Sequence, residues 1–347
     1  MGAKVISLSA DDVTYNVLPG SQGELSREGA NLDDTIFGQD FRSGQTGLIG
    51  WQLNGNAVYK NYPGYMVTLK KPGTSTAMTD EAMTLVSGKT YQISAAAKQI
   101  WDRAVALSFE DNAVAVDEAD IESVDYLFGR VTFVSSYTPT GPITVSGNYL
   151  PTSDLGCATG YTLTQTADAI DTSCISTAAA NNGHRTHDYG LKTVSLEVPT
   201  VYQAVADFQQ VLIDRDEIII EVNPDGQGYS VARGFFKLLT DRQSGNVGAL
   251  EEENLNFVLN VPYLDTLEAE VPFKWVHGVS SPIPAAIKTA LTGWETKALI
   301  WGKYLPDGAV GFKGEGVITN VTLSGAMDSM NTFQITLQGS DELVAVV

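Results

Sequence analysis

Short segments in which apolar and polar residues alternate recur along most of the chain and predict β-strands. In the segment GRVTFV, Val131 and Phe133 point to one face of a strand and Thr132 points to the other. Segments of this kind run through residues 61–150 and return after residue 190, separated by turn sequences such as Pro-Asp-Gly. The pattern predicts a mainly β fold with few helices.

Two segments have helical spacing instead. In residues 201–213 the apolar positions lie three or four residues apart, at Val201, Val205, Phe208 and Leu212. This spacing predicts an amphipathic helix that lies on a sheet. The segment IPAAIKTALTGW at 283–294 predicts a second helix.

The order strand, helix, strand, strand, strand occurs twice in the second half of the chain. The first copy begins with a strand at 191–199 and the second with a strand at 266–275. Each copy has a Pro-Asp-Gly turn, at 224–226 in the first and at 306–308 in the second. We interpret the pattern as the duplication of one unit.

The spacing between matching positions changes along the two copies. Gly234 matches Gly316 at the same spacing as the two turns, whereas the apolar positions of the last strand match at a shorter one: Leu255, Phe257 and Leu259 match Phe333, Ile335 and Leu337. Loops of different length between equivalent strands produce such changes. Duplication is therefore compatible with the changing spacing.

A third match extends the duplication toward the N-terminus. Residues 47–59 (GLIGWQLNGNAVY) and 190–202 (GLKTVSLEVPTVY) are of equal length and share five positions without a gap. The match predicts that the leading strand pair of the unit was duplicated as well.

These patterns divide the chain into four parts. Its length of 347 residues exceeds what one core usually holds. We predict an N-terminal arm and hairpin at 1–60 and an added β-sandwich, immunoglobulin-like or capping, at 61–150. The first repeated unit follows at 151–262 and the second at 263–347. Each unit is predicted to be a β-sandwich or barrel with one packed helix.

The charge argues against strong binding of nucleic acid. The chain has 41 Asp and Glu against 21 Lys and Arg, a formal net charge of −20. Its basic residues form no run longer than the pair at 70–71, so a groove that grips phosphates is not expected. Such a surface still allows nucleic acid to pass along it without sticking.

The sequence gives no sign of a membrane segment or a structural disulfide. The N-terminus lacks the apolar stretch of a signal peptide, and Ile6 replaces the Ser or Thr of a myristoylation signal. We expect a soluble chain made in the cytoplasm. Cys157 and Cys174 are then expected to be reduced and semi-buried.

Histidines give one candidate metal site. His184, His187 and Asp188 cluster in the segment GHRTHD, but they lie in a predicted polar hairpin loop without the rigid helix that usually spaces zinc ligands. A solvated loop tip is the favoured interpretation. His277 has no neighbouring acid or base in the sequence.

Acidic and glycine-rich segments give no better candidate. The segments at 117–122 (DEADIE) and 251–253 (Glu251, Glu252 and Glu253) do not match a calcium loop. The segment GFKGEG at 311–316 enters a strand, so no helix N-terminus would receive a phosphate. We predict no catalytic, cofactor or metal site, and a structural protein instead of an enzyme.

The order of elements resembles that of a known family. Residues 189–260, from YGLKTVSLEVP to NLNFVLN, and residues 311–343, from GFKGEG to GSDEL, look like the major tail tube proteins of long, non-contractile-tailed bacteriophages. The resemblance covers about 155–347 and concerns the order of elements, a helix on a β-sandwich followed by paired strands. Residues 61–150 depart from the family pattern.

The resemblance implies a subunit of a viral tail. Subunit sheets in that family join side by side into a closed ring, and stacked rings form a hollow tube for DNA. Two units per chain imply a ring of three chains in place of six. The implied partners are further copies of the chain, the tape measure, the tail terminator and the tail tip, with DNA passing unbound, no membrane contact and no cofactor. The implied location is the virion tail, assembled in the host cytoplasm.

Two other functions fit the sequence. A secreted or surface β-sandwich adhesin fits the acidic composition, although the chain lacks a signal sequence and calcium loops. A polysaccharide depolymerase on a β scaffold would need two carboxylates about 5 to 10 Å apart, and a sequence does not reveal such a distance.

Two structural expectations follow from the resemblance to tail tube proteins. Residues 1–60 and 172–190 have few apolar positions, so they are expected to be ordered only against neighbouring subunits. The channel wall is expected to carry Asp, Glu and small polar residues. The strands that flank the turns at 224–226 and 306–308, together with Glu251 to Glu253, are the predicted channel-facing segments.

Overall fold

Two β-sheets make up most of the protein. The computed structural model describes residues 4–20, 22–33, 44–60, 66–174, 182–201, 208–244, 252–261, 272–326 and 329–347. Sixteen strands of this described part form one large sheet and seven form a smaller one. The prediction of a mainly β fold with few helices is confirmed.

The large sheet is built from both ends of the chain, and its strands are numbered in chain order together with those of the smaller sheet. Its strands before residue 160 are β1 (Val5–Ser9), β2 (Asn16–Val17), β3 (Gln22–Asp33), β4 (Gly44–Tyr59), β5 (Val67–Pro72) and β13 (Thr152–Cys157). Its later strands are β14 (Gly160–Asp171), β15 (His187–Val201), β16 (Glu217–Val222), β17 (Ser230–Ser244), β18 (Glu252–Leu259), β19 (Phe273–His277), β20 (Ile300–Leu305), β21 (Gly311–Ala326), β22 (Asn331–Gly339) and β23 (Val344–Val346).

The smaller sheet folds into a two-layer sandwich. Its strands are β6 (Thr76–Ser87), β7 (Thr90–Ile93), β8 (Ser108–Asp111), β9 (Val114–Ala115), β10 (Ile121–Asp125), β11 (Arg130–Phe133) and β12 (Ile143–Tyr149). The first half of β6 pairs with β12 and the second half with β7, so this strand passes from one layer to the other. Trp101, Phe109 and Phe133 fill the space between the layers.

The sandwich begins later than the sequence predicts. We expected an added domain at 61–150, but β5 pairs with β13 and β16 of the large sheet. Val67 and Leu69 of β5 point into the core of that sheet and are buried. The strands of the sandwich therefore run from Thr76 to Tyr149, and residues 67–72 belong with the repeated units.

An apolar cluster and ion pairs attach the sandwich to the large sheet. Side chains of both parts form one buried cluster: Ile100, Leu127 and Phe128 from the sandwich, and Ile219, Val231 and Phe235 from β16 and β17. Arg103 of the sandwich pairs with Glu217, and Lys274 Nζ lies 3.3 Å from Asp125 Oδ2 of the sandwich. The Arg233 guanidinium of β17 also donates to the Leu127 carbonyl at 3.1 Å. Because the cluster excludes water, these charged contacts are stronger than exposed ones.

Two described helices pack against the large sheet. They are α1 (Phe208–Asp214) and α2 (Ala285–Thr296). Helix α2 buries Ile287, Leu291 and Trp294, as the periodicity of 283–294 predicts. Residues 202–207, including Val205, lie outside the described residues, and so do residues 262–271, which include part of the strand predicted at 266–275.

The expectation that residues 1–60 lack core positions is wrong for β1 and β4. Ile6 and Leu8 of β1 are at most 1% exposed, because β1 pairs with β20 and adds an edge to the large sheet. Trp51 and Leu53 of β4 are also buried, where β4 lies between β22 and β3. These strands have their partners far along the chain, and sequence periodicity does not show such pairs.

The same correction applies to the end of the segment 172–190. Residues 187–190 belong to β15, and His187 and Asp188 pair with Asp171 and Ile170 of β14. Tyr189 is buried, and its hydroxyl donates to the Ala298 carbonyl at 3.0 Å and accepts the Ile318 backbone N–H at 3.0 Å. Residues 175–181 lie outside the described residues.

A β-bulge recurs at the same place in both repeated units. In the pair β17 and β18 the register shifts between Leu238 and Thr240. In the pair β21 and β22 it shifts between Ile318 and Asn320. Because bulges are usually retained among related structures, the shared bulge supports the duplication.

The bulge corrects the residue matches within the duplicated unit. Superposing the two bulges places Leu238 with Ile318, and the strand partners of these residues then place Phe257 with Leu337. The sequence had matched Phe257 with Ile335. It had also matched Gly234 with Gly316, whereas the bulge alignment brings Gly234 onto Gly314. One constant spacing therefore holds from β17 to β18 and from β21 to β22, whereas the Pro-Asp-Gly turns keep a different one.

Glu295 in the last turn of α2 makes the stability of the fold depend on pH. Its carboxylate accepts the Trp275 backbone N–H at 3.3 Å, and burial raises the pKa of Glu295 to about 7, although nearby Lys274 favours the charged form. A carboxylate near a helix C-terminus is also unfavourable electrostatically. The chain therefore folds more readily when Glu295 is protonated.

We predict that Glu295→Gln removes this pH dependence. The folded chain keeps a proton that the unfolded chain releases, so this group stabilises the fold at pH 4 and its contribution is lost as the pH rises through about 7. The free energy of unfolding of the variant, relative to the wild type, should rise by roughly 2 to 3 kcal/mol between pH 4 and pH 8. Urea unfolding followed by tryptophan fluorescence measures this change, with Glu122→Gln at an exposed position as control. A relative stability that does not vary with pH would contradict the prediction.

Candidate functional site

Eight strands of the large sheet form one uninterrupted row. Their order is β17, β18, β15, β14, β21, β22, β4, β3, and every neighbouring pair is antiparallel. The first four strands come from the first repeated unit. The last four come from the second unit and the N-terminal hairpin.

The two halves of the row match residue by residue. In the first half one line of opposed residues is Leu238, Phe257, Leu196 and Leu163, and in the second half it is Ile318, Leu337, Leu53 and Leu25. Leu53 and Leu196 are also matched residues of the sequence repeat at 47–59 and 190–202. That repeat therefore marks equivalent strands, β4 and β15. By the same line, β3 is equivalent to β14, with Leu25 in the place of Leu163.

The side chains of the row alternate between the core and a face that we call the polar face. Because successive side chains in a strand point to opposite sides, the core side takes residues such as Leu163, Leu196 and Phe333. The described side chains of the polar face include Gln22, Glu24, Ser26, Glu28, Gln52, Asn54, Asn56, Val58, Thr162, Thr164, Thr166, Asp168, Thr193, Ser195, Glu197, Pro199, Lys237, Thr240, Arg242, Ser244, Asn254, Asn256, Val258, Asn320, Thr322, Ser324, Thr332, Gln334, Thr336 and Gln338.

Neutral polar groups dominate the polar face. They bond to each other across strands, as between the Thr166 and Thr193 hydroxyls at 2.6 Å and between the Asn256 amide and Thr240 at 2.8 Å. Among the described side chains the face carries four carboxylates, Glu24, Glu28, Asp168 and Glu197, and two cations, Arg242 and Lys237. Such a surface is hydrophilic and weakly acidic, with little to hold an anion.

Both ends of the row have a free edge. β3 pairs with β4 on one side, and no described strand covers its other side. β17 is covered by β16 only from Ala232 to Lys237. Its residues 240–244 pair with β18 on one side and, within the described part of the chain, with no strand on the other. Free edges of this length are sites for pairing with another chain.

The middle of the row shows how such an edge is covered. β21 is equivalent to β17, and β20 covers its first part from Phe312 to Gly316. Its second part is covered by β14, with Thr162 opposite Ser324 and Thr164 opposite Thr322. We call this pairing of β14 with β21 the internal joint. It covers in the second unit the edge that is free in the first unit.

The histidine cluster of the sequence is divided among different contacts. The His187 ring donates through Nδ1–H to the Gly339 carbonyl at 2.6 Å, and its backbone N–H donates to Ser340 Oγ. His184 forms an isolated bridge with Ile49, and the Asp188 carboxylate accepts the Tyr189 N–H. Among the described residues no group of three or more His, Cys, Asp or Glu side chains is placed to hold a metal ion.

The carboxylates predicted to face a channel lie elsewhere. Glu253 shares the core side with Leu255 and Phe257 and is 2% exposed. Asp225 in the first Pro-Asp-Gly turn is fully buried, where it accepts the Gln227 and Ser230 N–H groups at 3.0 and 2.7 Å. Glu251 lies outside the described residues.

The strands that lead out of the two turns do contribute to the polar face, since β17 supplies Thr240 and β21 supplies Asn320. β16 and β20 lead into the two Pro-Asp-Gly turns and lie outside the eight-strand row. The sequence offered a signal for the actual face, since Thr and Gln alternate with apolar residues in 161–167 (YTLTQTA) and 331–338 (NTFQITLQ). The segments predicted from the sequence therefore include two strands of the polar face, β17 and β21, and miss β3, β4, β14, β15 and β22.

His277 has partners that the sequence did not show. The Ser230 hydroxyl lies 3.0 Å from His277 Nδ1 and 2.5 Å from the Ser281 hydroxyl. Burial lowers the pKa of His277 to about 4, so the ring is neutral at pH 7. Ser230 is fully buried, and the network joins β17 to β19 beside the first Pro-Asp-Gly turn.

Two remaining sequence features have simple places in the fold. Cys174 is exposed, not semi-buried as expected. Cys157 ends β13, and its side chain lies outside the description. None of the described helices is both long and apolar enough to cross a membrane.

Comparisons with known proteins give weak structural similarities. No protein-family model matches the chain, and no curated protein matches it. Similar solved structures include a chain from the tail of an empty gene transfer agent particle, determined by helical refinement with C6 symmetry, and a chain from the virion of a native gene transfer agent particle. Each is 14% identical with a TM-score of 0.28, over 32% of this chain and 84% or 85% of the other. About two thirds of this chain lies outside each similarity.

Proposed function

We propose that the protein is the tube-forming subunit of a viral tail. Three copies close into a ring, rings stack into a hollow tube, and the polar face lines the channel through which DNA leaves the particle. The role is structural and involves no catalysis. The observation that carries the proposal is the row of eight strands with two equivalent halves and a free edge at each end.

The equivalence of the halves supports a ring with three chains. A closed ring needs each subunit to offer complementary edges at a fixed rotation. The internal joint already relates the first half to the second. If the same rotation is repeated between chains, three copies provide six equivalent halves, and three eight-strand rows join into one closed sheet. Closure also removes the free edges, which would otherwise favour aggregation.

The composition of the polar face supports a conduit for DNA. Each Lys or Arg that neutralises a phosphate adds affinity through counterion release, and a ring would multiply such contacts. The described side chains of the polar face include four carboxylates against two cations, Arg242 and Lys237. Thr, Ser, Asn and Gln hold water without attracting phosphates, so duplex DNA would move along the wall without being retained.

Two equivalent hairpins support the stacking of rings. β3 with β4 and β14 with β15 form long hairpins whose ends, around Asp33 and Asp171, are exposed. They project from the same place in the two halves, because β3 is equivalent to β14 and β4 to β15. We propose that these hairpins contact the adjacent ring in the virion, and that tape measure, tail terminator and tail tip proteins bind the tube after assembly in the host cytoplasm.

The proposal is tested by the mass and shape of the assembled protein. Purified chain, concentrated from micromolar to millimolar, should form rings or tubes visible by negative stain, and native mass spectrometry of the smallest closed species should give three chains. A chain that stays monomeric over this range, or whose smallest ring contains six chains, would contradict the proposal.

A further inference from the structure

We infer that the ring closes by antiparallel pairing of β3 with the free part of β17 in the next copy, in a register that places Leu25 opposite Gln243 and Arg27 opposite Asp241. This inference rests on the proposed ring. It adds the strand edges that pair, their register and the ion pair that selects the correct neighbour. Each free edge pairs with a second copy of this chain.

The register follows from the internal joint. In that joint Leu163 lies opposite Leu323, Thr164 opposite Thr322 and Gln165 opposite Val321. β3 corresponds to β14 with Leu25 in the place of Leu163, and β17 corresponds to β21 with Leu238 in the place of Ile318. Transferring the pairs residue by residue gives five new pairs: Glu24 with Ser244, Leu25 with Gln243, Ser26 with Arg242, Arg27 with Asp241, and Glu28 with Thr240.

Opposite charges meet in this register. Arg27 and Asp241 become directly opposed on the core side of the sheet. On the polar face Arg242 lies opposite Ser26, and its diagonal neighbours across the joint are Glu24 and Glu28. Directly opposed and diagonal pairs are the ones that interact across antiparallel strands. A shift by one residue would place Arg27 opposite Arg242 or Thr240 and lose this match.

Asp241 is a half-buried acid with one carboxyl oxygen that is buried and that a positive partner would satisfy. Its Oδ1 atom is buried and, among the described residues of a single chain, has no hydrogen-bond partner. The buried carboxyl of Glu253 lies on the same side of the neighbouring strand, and the two acidic groups interact. A buried carboxylate in such surroundings is costly unless a positive group reaches it. A neighbouring chain can supply that group.

Arg27 is placed to supply that cation. Its guanidinium lies 4.1 Å from the centre of the Phe312 ring, so it is held toward the core side of β3, yet the residue remains exposed. Its bidentate geometry suits a carboxylate. In the internal joint the equivalent positions carry the neutral pair Gln165 and Val321. The charge pair thus belongs to the contact between chains and distinguishes it from the contact within a chain.

Disulfide trapping tests the register. In a background with Cys157→Ser and Cys174→Ser, the pair Ser26→Cys and Arg242→Cys should cross-link on mild oxidation, because directly opposed Cα atoms lie about 4.5 to 5.5 Å apart, within the range of a disulfide. We expect a dimer and a closed trimer on a non-reducing gel. The control pair Ser26→Cys and Gln243→Cys, one residue out of register and on the opposite face, should stay monomeric.

Charge reversal tests the ion pair. Asp241→Arg should raise the concentration needed for assembly at least about tenfold, since it places two guanidinium groups together. Adding Arg27→Asp restores opposite charges and should recover assembly. If the double variant assembles no better than Asp241→Arg, the pair is wrong.

The two experiments distinguish a failure of the proposed β3–β17 pairing between chains from a failure of the proposed tube. Rings that form while the Ser26 and Arg242 pair fails to cross-link, or while the control pair cross-links instead, would overturn the register and leave the ring standing. The other outcome is cross-linking in the expected register between chains that never close into rings. That result would support the β3–β17 pairing between chains and contradict the tube.

Discussion

Replacing Gly339 with alanine is expected to destabilise the folded chain by about 3 kcal/mol, because the methyl group would overlap the ring of Trp51. Gly339 ends β22, and the indole lies against this glycine and against Gly314 of β21, where an added Cβ would be 2.5 Å from a ring carbon. The ring has little room to move, since it is 3% exposed and its Nε1 donates to the Asp341 carbonyl at 2.8 Å. Urea unfolding measures the loss.

A neighbouring glycine provides the matched control. A Cβ on Gly50 would meet its nearest atoms at 3.8 Å or more, an ordinary contact, so Gly50→Ala should change stability little. A smaller side chain at position 51 should make room for the methyl group, so Gly339→Ala should cost much less in a Trp51→Leu background. Equal losses for Gly50→Ala and Gly339→Ala, or no coupling to Trp51, would contradict this packing.

Placing lysine on the polar face is expected to turn the tube into a trap for DNA. Asn256 and Thr336 are equivalent in the two halves, so Asn256→Lys with Thr336→Lys would place six cations around each ring of three chains. Six phosphate contacts correspond to a loss of about a thousandfold in affinity between 50 and 200 mM salt. The variant tube should therefore retain duplex DNA at low salt and release it at high salt.

Sedimentation of assembled tubes with a fluorescent duplex measures this effect. Wild-type tubes and the neutral control, Asn256→Gln with Thr336→Gln, should leave the duplex in solution throughout the salt range. Retention by the wild type equal to that of the lysine variant would mean that the polar face does not act as a non-binding wall.

Local periodicity predicted individual strands and one helix well. The alternation in β17, β18, β21 and β22 and the helical spacing of α2 depend on neighbours in the sequence, and the structure has these elements where the pattern puts them. The match at 47–59 also identified β4 as the equivalent of β15. The two strands could be matched because both kept the same apolar positions.

Pairings between distant strands were not predictable in the same way. β1 pairs with β20, near the opposite end of the chain, and β5 leaves the sandwich to join β16. Neither choice is visible in a short apolar segment, because the partner is selected by tertiary packing. The match of Gly234 to Gly316 also failed, because it carried the spacing of the turns into the strands, although the connection from turn to strand is shorter in the second unit.

The position of Glu253 was available from the sequence but was not used. Glu253, Leu255 and Phe257 occupy alternate positions, so they share one face of β18 and the carboxyl must point inward. Its proximity to Asp241 depends on the pairing of β17 with β18, which required the structure. The proposed pairing between chains is defined by Arg27 and Asp241. These two residues are far apart in sequence and become related only through the equivalence of β3 with β14.

A cryo-EM reconstruction of the assembled particle, at a resolution that separates strands, tests the central claim most directly. The account predicts three chains in each ring, a continuous inner sheet made of three eight-strand rows with Thr164, Asn256 and Thr336 facing the channel, and β3 of one chain beside β17 of the next. A ring of six chains, or an inner wall formed by strands outside the eight-strand row, would contradict it.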